Sequence, residues 1–343
     1  MKNKLIIFLL AISVNCVAQK NDLYIEKFTG VNPVSYTDVI YIGMKDTVLV
    51  SKYNGEINKV INGSAKEINV AKINDEIYVL SYNKSKKQIA ASTLENGIVI
   101  INELSGKIHK KLPLIQTWSL KMDYSDDLKY LFANDQRGNR FIWNVESDYK
   151  PISLPKEFPS GTILSIRKNI VTLITPKKLV KWDLINQKSS EEINIEASLT
   201  RLADIDSSNN ILNINYNTAE FINLSSRGII FSVKHPSYLR PVESKGGDYV
   251  GRTARSEGIE VKNGYFEDTN YQMPITSAKF ANNKIYTASI DRSLRVWDKY
   301  TGKLINNLTG HKGSISKIKV TSDEKQVVSV DLLGVIKFWN VEI

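Results

Sequence analysis

The feature that most constrains this chain of 343 residues is a dipeptide that recurs about every 40 residues. Each copy ends a short β-type run with a bulky apolar residue, usually followed by Asp or Asn. The strongest copies begin at Trp143, Trp182, Trp297 and Trp339, and weaker ones begin at Ile61, Ile101, Ile222 and Val261. The gaps between successive copies are 40, 42, 39, 40, 39, 36 and 42 residues, a period typical of the four-stranded blades of a β-propeller.

The segments between these dipeptides predict strands rather than helices. In the repeat that ends at Trp297, four runs rich in β-branched and aromatic residues predict strands a to d, at residues 275–280, 284–289, 294–298 and 303–308. No run of 11 or more residues has a sustained helical spacing of apolar residues, so we expect an all-β fold with little helix. Because one repeat cannot bury its faces alone, the blades must pack against each other.

From about Ile275 to Ile343 the sequence resembles the WD40-repeat family. Gly310-His311, Ser322-Asp323 and Phe338-Trp339-Asn340 stand where that family has its Gly-His, turn and Trp-Asp elements. Over residues 35–274 the resemblance is carried by the spacing and by the apolar-Asn/Asp endings alone. The resemblance implies a β-propeller that serves as a platform for protein interactions.

The resemblance also implies a buried chain of hydrogen bonds among His, Ser or Thr, Asp and Trp within a blade. In the repeat that ends at Trp297, Ser289 and Asp291 fit this pattern, but Met273-Pro274 replaces Gly-His. In the last repeat, we expect Asp331 at the Ser position and Leu333 at the Asp position. His311 is therefore predicted to be structural, tying a turn to the second strand of that blade through Asp331.

Eight repeat endings predict a ring of eight blades, in preference to seven. The irregular repeat at residues 238–274 is where the count is weakest. The chain ends soon after the third strand of the last repeat. Residues 23–30 match the fourth-strand sequence at 303–310, and both end in an apolar residue followed by Thr-Gly. We therefore expect an N-terminal strand to complete the last blade and cover its edge.

The N-terminus has the pattern of a secretory signal peptide at residues 1–18, followed by a single propeller domain at 19–343. Lys2 and Lys4 precede an apolar stretch that is too short to span a membrane, and no later segment is long enough either. Cys16, the only cysteine, leaves the lipidation of the N-terminus open. We expect export to the periplasm or cell surface of a Gram-negative bacterium.

Composition constrains the partners more than the chemistry. The formal charge of +10 falls to +8 without Lys2 and Lys4, which favours an acidic protein or an anionic envelope polymer as partner. The basic residues are scattered and no nucleic-acid motif is present, so we expect no nucleic acid. We expect no cofactor, no metal and no catalytic residues, because the three histidines lack ligand spacing and no nucleophile or phosphate-loop motif occurs.

Two places are candidates for partner binding. Trp118 opens an inner strand near the face that carries the connections between blades. The irregular repeat gathers basic and aromatic side chains, and its candidates are Tyr238, Arg240, Arg252 and Arg255. The first hypothesis is an exported, monomeric, non-enzymatic interaction scaffold. The alternative is a propeller enzyme or a carbohydrate- or envelope-polymer-binding protein with a site at the channel mouth, which paired carboxylates or an aromatic platform there would favour.

Overall fold

The computed structural model describes residues 35–43, 45–114, 117–175, 177–195, 202–206, 208, 210–241, 261–262 and 265–341. For residues 237–241, 261–262 and 265–272 only the backbone is described. Within these ranges the regular secondary structure is entirely β-strand, in eight antiparallel sheets. The expectation of an all-β fold is confirmed.

The first four blades follow the chain, and each is a four-stranded sheet whose strands neighbour one another in sequence order. Blade 1 contains β1 Tyr36–Tyr41, β2 Thr47–Lys52, β3 Glu56–Ile61 and β4 Ile68–Lys72. Blade 2 contains β5 Ile77–Asn83, β6 Gln88–Thr93, β7 Ile98–Asn102 and β8 Ile108–Leu112. Blade 3 contains β9 Ser119–Tyr124, β10 Tyr130–Asp135, β11 Arg140–Asn144 and β12 Lys150–Pro151. Blade 4 contains β13 Thr162–Arg167, β14 Ile170–Ile174, β15 Lys178–Asp183 and β16 Lys188–Asn194.

Three more blades and one small extra sheet complete the described chain. Blade 5 contains β17 Leu202–Ile205, β18 Ile211–Asn215, β19 Thr218–Asn223 and β20 Gly228–Lys234. The extra sheet contains β21 Ser237–Pro241, β22 Val261–Lys262 and β23 Tyr265–Gln272. Blade 6 contains β24 Ile275–Ala281, β25 Lys284–Ser289, β26 Leu294–Asp298 and β27 Leu304–Leu308. Blade 7 contains β28 Ile315–Val320, β29 Gln326–Asp331 and β30 Ile336–Asn340.

The ring has seven blades, and the prediction of eight is wrong. The inner strand β17 of blade 5 packs directly against β24 of blade 6, and β1 packs against both β5 and β28. The extra sheet lies between blades 5 and 6 in sequence. Its strands pair only with each other in the described chain, and it is not one of the blades of the ring. The series of dipeptides therefore has seven genuine members, each at the end of a third strand. The eighth, Val261-Lys262, is the short strand β22 of the extra sheet, which we call the accessory sheet.

Contacts between blades 1 and 7 close the ring within the described residues. The Ser316 hydroxyl donates to the Tyr36 carbonyl at 2.7 Å, and the Gln326 amide donates to the Asp46 carboxylate at 2.8 Å. Valines of both blades form one buried cluster beneath these bonds. Blade 7 has three described strands. The segment predicted to add a fourth, residues 23–30, lies outside the described residues.

Burial between neighbouring blades supplies the core, as the repeat pattern requires. The clusters join adjacent sheets in pairs: one cluster, for example, combines Leu49 and Ile57 of blade 1 with Leu80, Ile89 and Ile101 of blade 2. Each of these five side chains is completely buried. Both faces of the inner strands are thus packed against neighbouring blades, so that their free edges surround a fixed central channel.

Candidate binding site at the channel mouth

A β-bulge recurs at the same place in the inner strands of six of the seven blades. In β1, β5, β9, β13, β24 and β28 the pairing with the second strand slips by one residue close to the strand start. A bulge turns the extra residue away from the regular alternation of side chains. Five of the six extra residues line one cavity: Thr37, Tyr78, Leu120, Thr276 and Ser316. The repeated bulge therefore shapes a shared surface at the centre of the ring.

This cavity, which we call the channel mouth, has a volume of about 620 Å³. The inner strands of all seven blades contribute to it, so it lies on the ring axis. Turns that join the second and third strands also line it, through Gln136 of blade 3 and Tyr216 of blade 5. In an antiparallel blade these turns share a face with the connections between blades. The channel mouth therefore opens on the face that carries the accessory sheet.

Aromatic and aliphatic side chains form the wall of the channel mouth. The rings of Tyr78 and Trp118 are stacked, with centroids 5.0 Å apart and an interplanar angle of 19°. The Tyr78 hydroxyl donates to the Glu76 carboxylate at 2.6 Å, which fixes the orientation of the pair. Burial and this hydrogen bond raise the pKa of Tyr78 well above its usual value, so the phenol is neutral. Leu120, 44% exposed, adds aliphatic surface beside the pair.

Charged side chains line the channel directly below this wall. Lys121 and Lys317, each one residue after a bulge, belong both to the channel mouth and to the narrower interior beneath it. The Lys121 ammonium donates to the Ala203 carbonyl at 3.1 Å. Burial, together with the nearby ammonium of Lys279, lowers the pKa of Lys121 to about 8. Burial also lowers the pKa of Lys317.

The carboxylates of the channel interior are each held by a protein donor. Asp38 accepts hydrogen bonds from the amides of Val39 and Leu80, at 2.7 and 2.8 Å. Asp123 accepts a hydrogen bond from the Ser81 hydroxyl at 2.8 Å. Asp204 forms an ion pair with Lys279. No described group accepts a hydrogen bond from Lys317 or Lys319. The four lysines of the described channel interior outnumber its three carboxylates by one, so the net charge of this interior is positive.

The structure places the predicted site residues in two groups. Trp118 lies in the channel mouth, where it both packs on Tyr78 and faces the cavity. Tyr238 and Arg240 lie on β21 of the accessory sheet, paired with Asp268 and Phe266 of β23, and their side chains are not described. Arg252 and Arg255 lie outside the described residues. The accessory sheet begins close to His235 and ends close to Pro274, which lines the channel mouth, so Trp118 and the strand that carries Tyr238 and Arg240 belong to one face.

The last blade contains a complete hydrogen-bonded clamp, which the sequence had indicated only in fragments. His311 contacts the Asp331 carboxylate through Nδ1 at 3.0 Å and the Ser329 hydroxyl through Nε2 at 2.6 Å. The Trp339 indole donates to the same hydroxyl at 2.7 Å. The predicted link from His311 to Asp331 is confirmed, but Ser329 holds the Ser position and Asp331 the Asp position. The predicted register was wrong by two residues.

Blade 6 has a second clamp, whose histidine comes from before the accessory sheet. His235 contacts the Thr287 hydroxyl at 2.6 Å, and the Trp297 indole donates to that hydroxyl at 2.8 Å. Asp291 approaches His235 Nδ1 at 3.4 Å and also pairs with Arg295. Two expectations for this blade were therefore wrong: His235 supplies the histidine that Met273-Pro274 was expected to replace, and Thr287 rather than Ser289 holds the Ser or Thr position. The insertion of the accessory sheet only moves the histidine some 40 residues upstream of its blade.

We expect the free energy of unfolding to decrease as the pH falls from about 7.5 to about 5.5. Burial lowers the pKa of His235 and of His311 below the ordinary 6.5, despite the carboxylate beside each ring. The unfolded chain therefore binds protons at these positions before the folded protein does. Each histidine contributes a slope of up to about 1.4 kcal/mol per pH unit.

Urea unfolding at several pH values between about 5.5 and about 7.5 measures this change in the free energy of unfolding. Ordinary carboxyl groups titrate below this pH range. His311→Gln should make the dependence shallower. Leu104→Gln, on an exposed turn and without a titratable group, should leave it unchanged. Equal stability of the unsubstituted protein at both ends of the range would contradict the expectation.

The described residues contain neither a metal-ligand cluster nor a membrane-spanning helix. No group of three or more His, Cys, Asp or Glu side chains in this part of the chain is arranged to hold a metal ion. The same residues contain no helix with the length and apolar character needed to span a membrane.

Comparisons with known proteins agree with this architecture. A family profile described as WD domain, G-beta repeat matches residues 302–340. The chain is similar to the WD repeat-containing protein on Y chromosome of Drosophila willistoni, with 32% identity over 83 residues, which cover 23% of this chain and 8% of that protein. It is also similar to mitogen-activated protein kinase kinase kinase A of Dictyostelium discoideum, with 29% identity over 104 residues, which cover 26% of this chain and 11% of that protein. The matches thus span about a tenth of each relative.

A solved structure matches nearly the whole chain. The WD40 beta propeller domain of Doa1 has a TM-score of 0.64 and 12% identity, and the alignment covers 92% of this chain and 96% of that domain. At this identity the likeness concerns the fold. The ring of seven blades, the two histidine clamps and these comparisons confirm the resemblance of this chain to the WD40-repeat β-propellers, in fold over most of its length and in sequence over its last repeats.

Proposed function

We propose that this protein is an exported, non-enzymatic scaffold that binds a protein partner at the channel mouth. The observation that carries the proposal is the aromatic pair Tyr78 and Trp118, which lies in a fixed cavity above two lysines. Tryptophan and tyrosine in well-packed pockets are common hot spots of protein interfaces. Because the inner strands are packed on both sides, the channel mouth is already in place before a partner arrives, which lowers the entropic cost of binding.

The accessory sheet and the charge of the channel support the same surface. The accessory sheet enters and leaves the ring beside the channel mouth, so it extends the surface that a partner could contact. The positive charge of the channel favours an acidic partner, in keeping with the overall charge of +10. An anionic envelope polymer would meet the same charge, and the proposal includes it as the alternative ligand. Platform function is also what the likeness to WD40-repeat proteins implies.

The test is an affinity purification of tagged residues 19–343 from bacterial envelope extracts, followed by cross-linking to locate the contact. We expect Trp118→Ala to weaken the capture of a reproducible partner by about tenfold or more. The matched control is Tyr300→Ala, because Tyr300 is 67% exposed on a turn of the opposite face. Equal capture by both variants would refute the channel mouth as the binding surface. In the native strain, a mature N-terminus at Gln19 is expected if the protein is exported.

A carbohydrate ligand is the second candidate, and the aromatic pair is the observation that favours it. An aromatic platform at the channel mouth is what the alternative hypothesis required, whereas each described carboxylate of the channel interior is held by a protein donor. Titration with neutral glycan fragments separates the two candidates. Binding that depends on Trp118, without any protein captured in the affinity purification, would favour the carbohydrate.

A further inference from the structure

We propose that the floor of the channel mouth is a binding site for a single carboxylate group carried by an apolar ligand, with the ammonium groups of Lys121 and Lys317 as its ligands. The inference deepens the proposed function and rests on it for the biological source of the carboxylate, which would belong to the bound partner. The site itself can be tested with a small molecule, independently of any partner.

The first argument is the balance of charge in the channel. Asp135 lines the mouth, but its carboxylate accepts hydrogen bonds from Arg137 and Asn139 of its own turn. The described ionisable side chains of the interior beneath the mouth are Lys121, Lys279, Lys317 and Lys319 against Asp38, Asp123 and Asp204. When all of the interior groups are ionised, one positive charge is left over. A monoanion neutralises this charge, whereas a phosphate dianion would leave a negative one in a partly buried site. The charge of the interior therefore favours a monoanion, such as a carboxylate, over a dianion.

The second argument is which of the lysines is available. Lys279 is held by Asp204, and Lys319 lies farther down, where it lines the opening at the opposite end of the channel. Among the described residues, Lys317 has no hydrogen-bond acceptor and Lys121 donates to the Ala203 carbonyl alone. Both line the channel mouth. An ammonium group has three donors, so each of these two lysines can donate to a bound carboxylate as well.

The third argument is the wall above the two lysines. The Tyr78–Trp118 pair, Leu120 and Pro274 present mostly apolar surface to a cavity of about 620 Å³. An inorganic anion would leave this surface exposed to water. A ligand with an aromatic or aliphatic body would cover it, and that burial adds to the charge interaction. The ligand is therefore an amphipathic organic acid group, either a chain terminus or an acidic side chain beside an apolar residue.

The pH dependence follows from the environment of Lys121. The charged groups that act on it are Asp123 on its own strand, Asp204 on β17, Lys279 on β24 and Lys319 on β28, and Lys317 on β28 and Asp38 on β1 line the same part of the channel. Burial and Lys279 lower its pKa to about 8. Above this pH, Lys121 loses the charge that attracts a carboxylate. Affinity should therefore fall several-fold between about pH 7 and about pH 9.

The experiment is calorimetric titration of the purified protein with 4-phenylbutyrate, and with its uncharged amide as the matched ligand. We expect the carboxylate to bind about tenfold more tightly than the amide. Lys317→Met and Lys121→Met should each weaken the binding of the carboxylate by about tenfold. Lys303→Met, on an exposed turn of the opposite face, should bind as the unsubstituted protein does. The melting temperature of the two channel variants should be unchanged or higher, because each substitution removes a partly buried charge.

Three outcomes would overturn the site: no binding of 4-phenylbutyrate, equal binding of the amide, or full affinity in both channel variants. If the probe fails while partner capture still depends on Trp118, the carboxylate site is refuted and the proposed function stands. If the probe binds while no partner is captured, the site stands without the scaffold function. Two acetylated dipeptides then identify the source of the carboxylate. One contains Phe and has a free C-terminal carboxylate. The other has Glu beside Phe and an amidated C-terminus.

Discussion

Replacing Asp331 with Ala is expected to destabilise the protein by about 3–5 kcal/mol, the largest effect of any single polar substitution proposed for this chain. Asp331 is completely buried. Its carboxylate accepts hydrogen bonds from four backbone amides, those of Lys312, Gly313, Leu333 and Val335, at 2.8 to 3.0 Å, and also contacts His311. Alanine would leave these donors buried without acceptors, which costs far more than the hydrogen bonds contribute in net terms.

The same bonds keep the carboxylate ionised. Burial alone would raise the pKa of Asp331, but the amides of Val335 and Gly313 and the ring of His311 hold it below its usual value. Asp331→Asn is therefore a sharp second variant. It preserves the size of the side chain but turns one acceptor into an NH₂ group, which must face an amide donor. We expect it to lose most of the same stability, because the effect comes from hydrogen bonding rather than from packing.

Urea unfolding of the variants measures these changes. The matched control is Asp323→Ala, in an exposed turn of the same blade, where a change within about 0.5 kcal/mol is expected. A loss of less than about 1 kcal/mol for Asp331→Ala would contradict the role of the clamp. Such a small loss would mean that the turns joined by the clamp are held by inter-blade packing instead.

Replacing Leu80 with Ala should destabilise the protein by about 2–5 kcal/mol. Leu80 is completely buried in the cluster that joins blades 1 and 2, where it packs with residues of both sheets. The substitution removes apolar contacts on two blades at once and leaves a cavity between them. The backbone amide of Leu80, which donates to Asp38 at 2.8 Å, is unaffected. The loss is therefore one of packing alone.

Leu104→Ala is the control for the same chemical change, because Leu104 is 75% exposed on a turn. We expect it to change stability by no more than about 0.5 kcal/mol. If unfolding of Leu80→Ala stays a single transition with an unchanged slope against urea, the blades unfold together. A Leu80→Ala variant as stable as Leu104→Ala would show that blades 1 and 2 do not depend on their interface.

The fold could be predicted from the sequence to the extent that it repeats. Seven of the eight predicted dipeptides end the third strand of a blade, including Ile61, Ile101 and Ile222, which lack tryptophan. The count failed at Val261, because the accessory sheet is about as long as a blade and kept the period nearly regular. Spacing alone cannot tell an inserted sheet from a diverged repeat. The difference lies in the packing of β17 on β24, which no local pattern encodes.

The candidate site could be predicted only in part. Trp118 was found because it opens an inner strand near the face that carries the connections between blades. Its partner Tyr78 was missed. The lysines at 121 and 317 were also missed, because a charged residue on a strand normally faces solvent. A signal was present: Lys121 and Lys317 stand at the same place in β9 and β28, one residue after the bulge. Inferring that this place faces a channel requires knowing that the seven inner strands surround one axis.

The second clamp has a consequence for protein engineering. Blade 6 keeps its histidine although residues 236–274 separate His235 from the inner strand β24 of that blade, so the ring already accommodates an inserted unit at this junction. Its two ends, at His235 and Pro274, are anchored on the rigid ring beside the channel mouth. A reporter domain exchanged for the accessory sheet would have both termini held there, next to any ligand that enters. The junction is thus a natural attachment point for turning this propeller into a sensor.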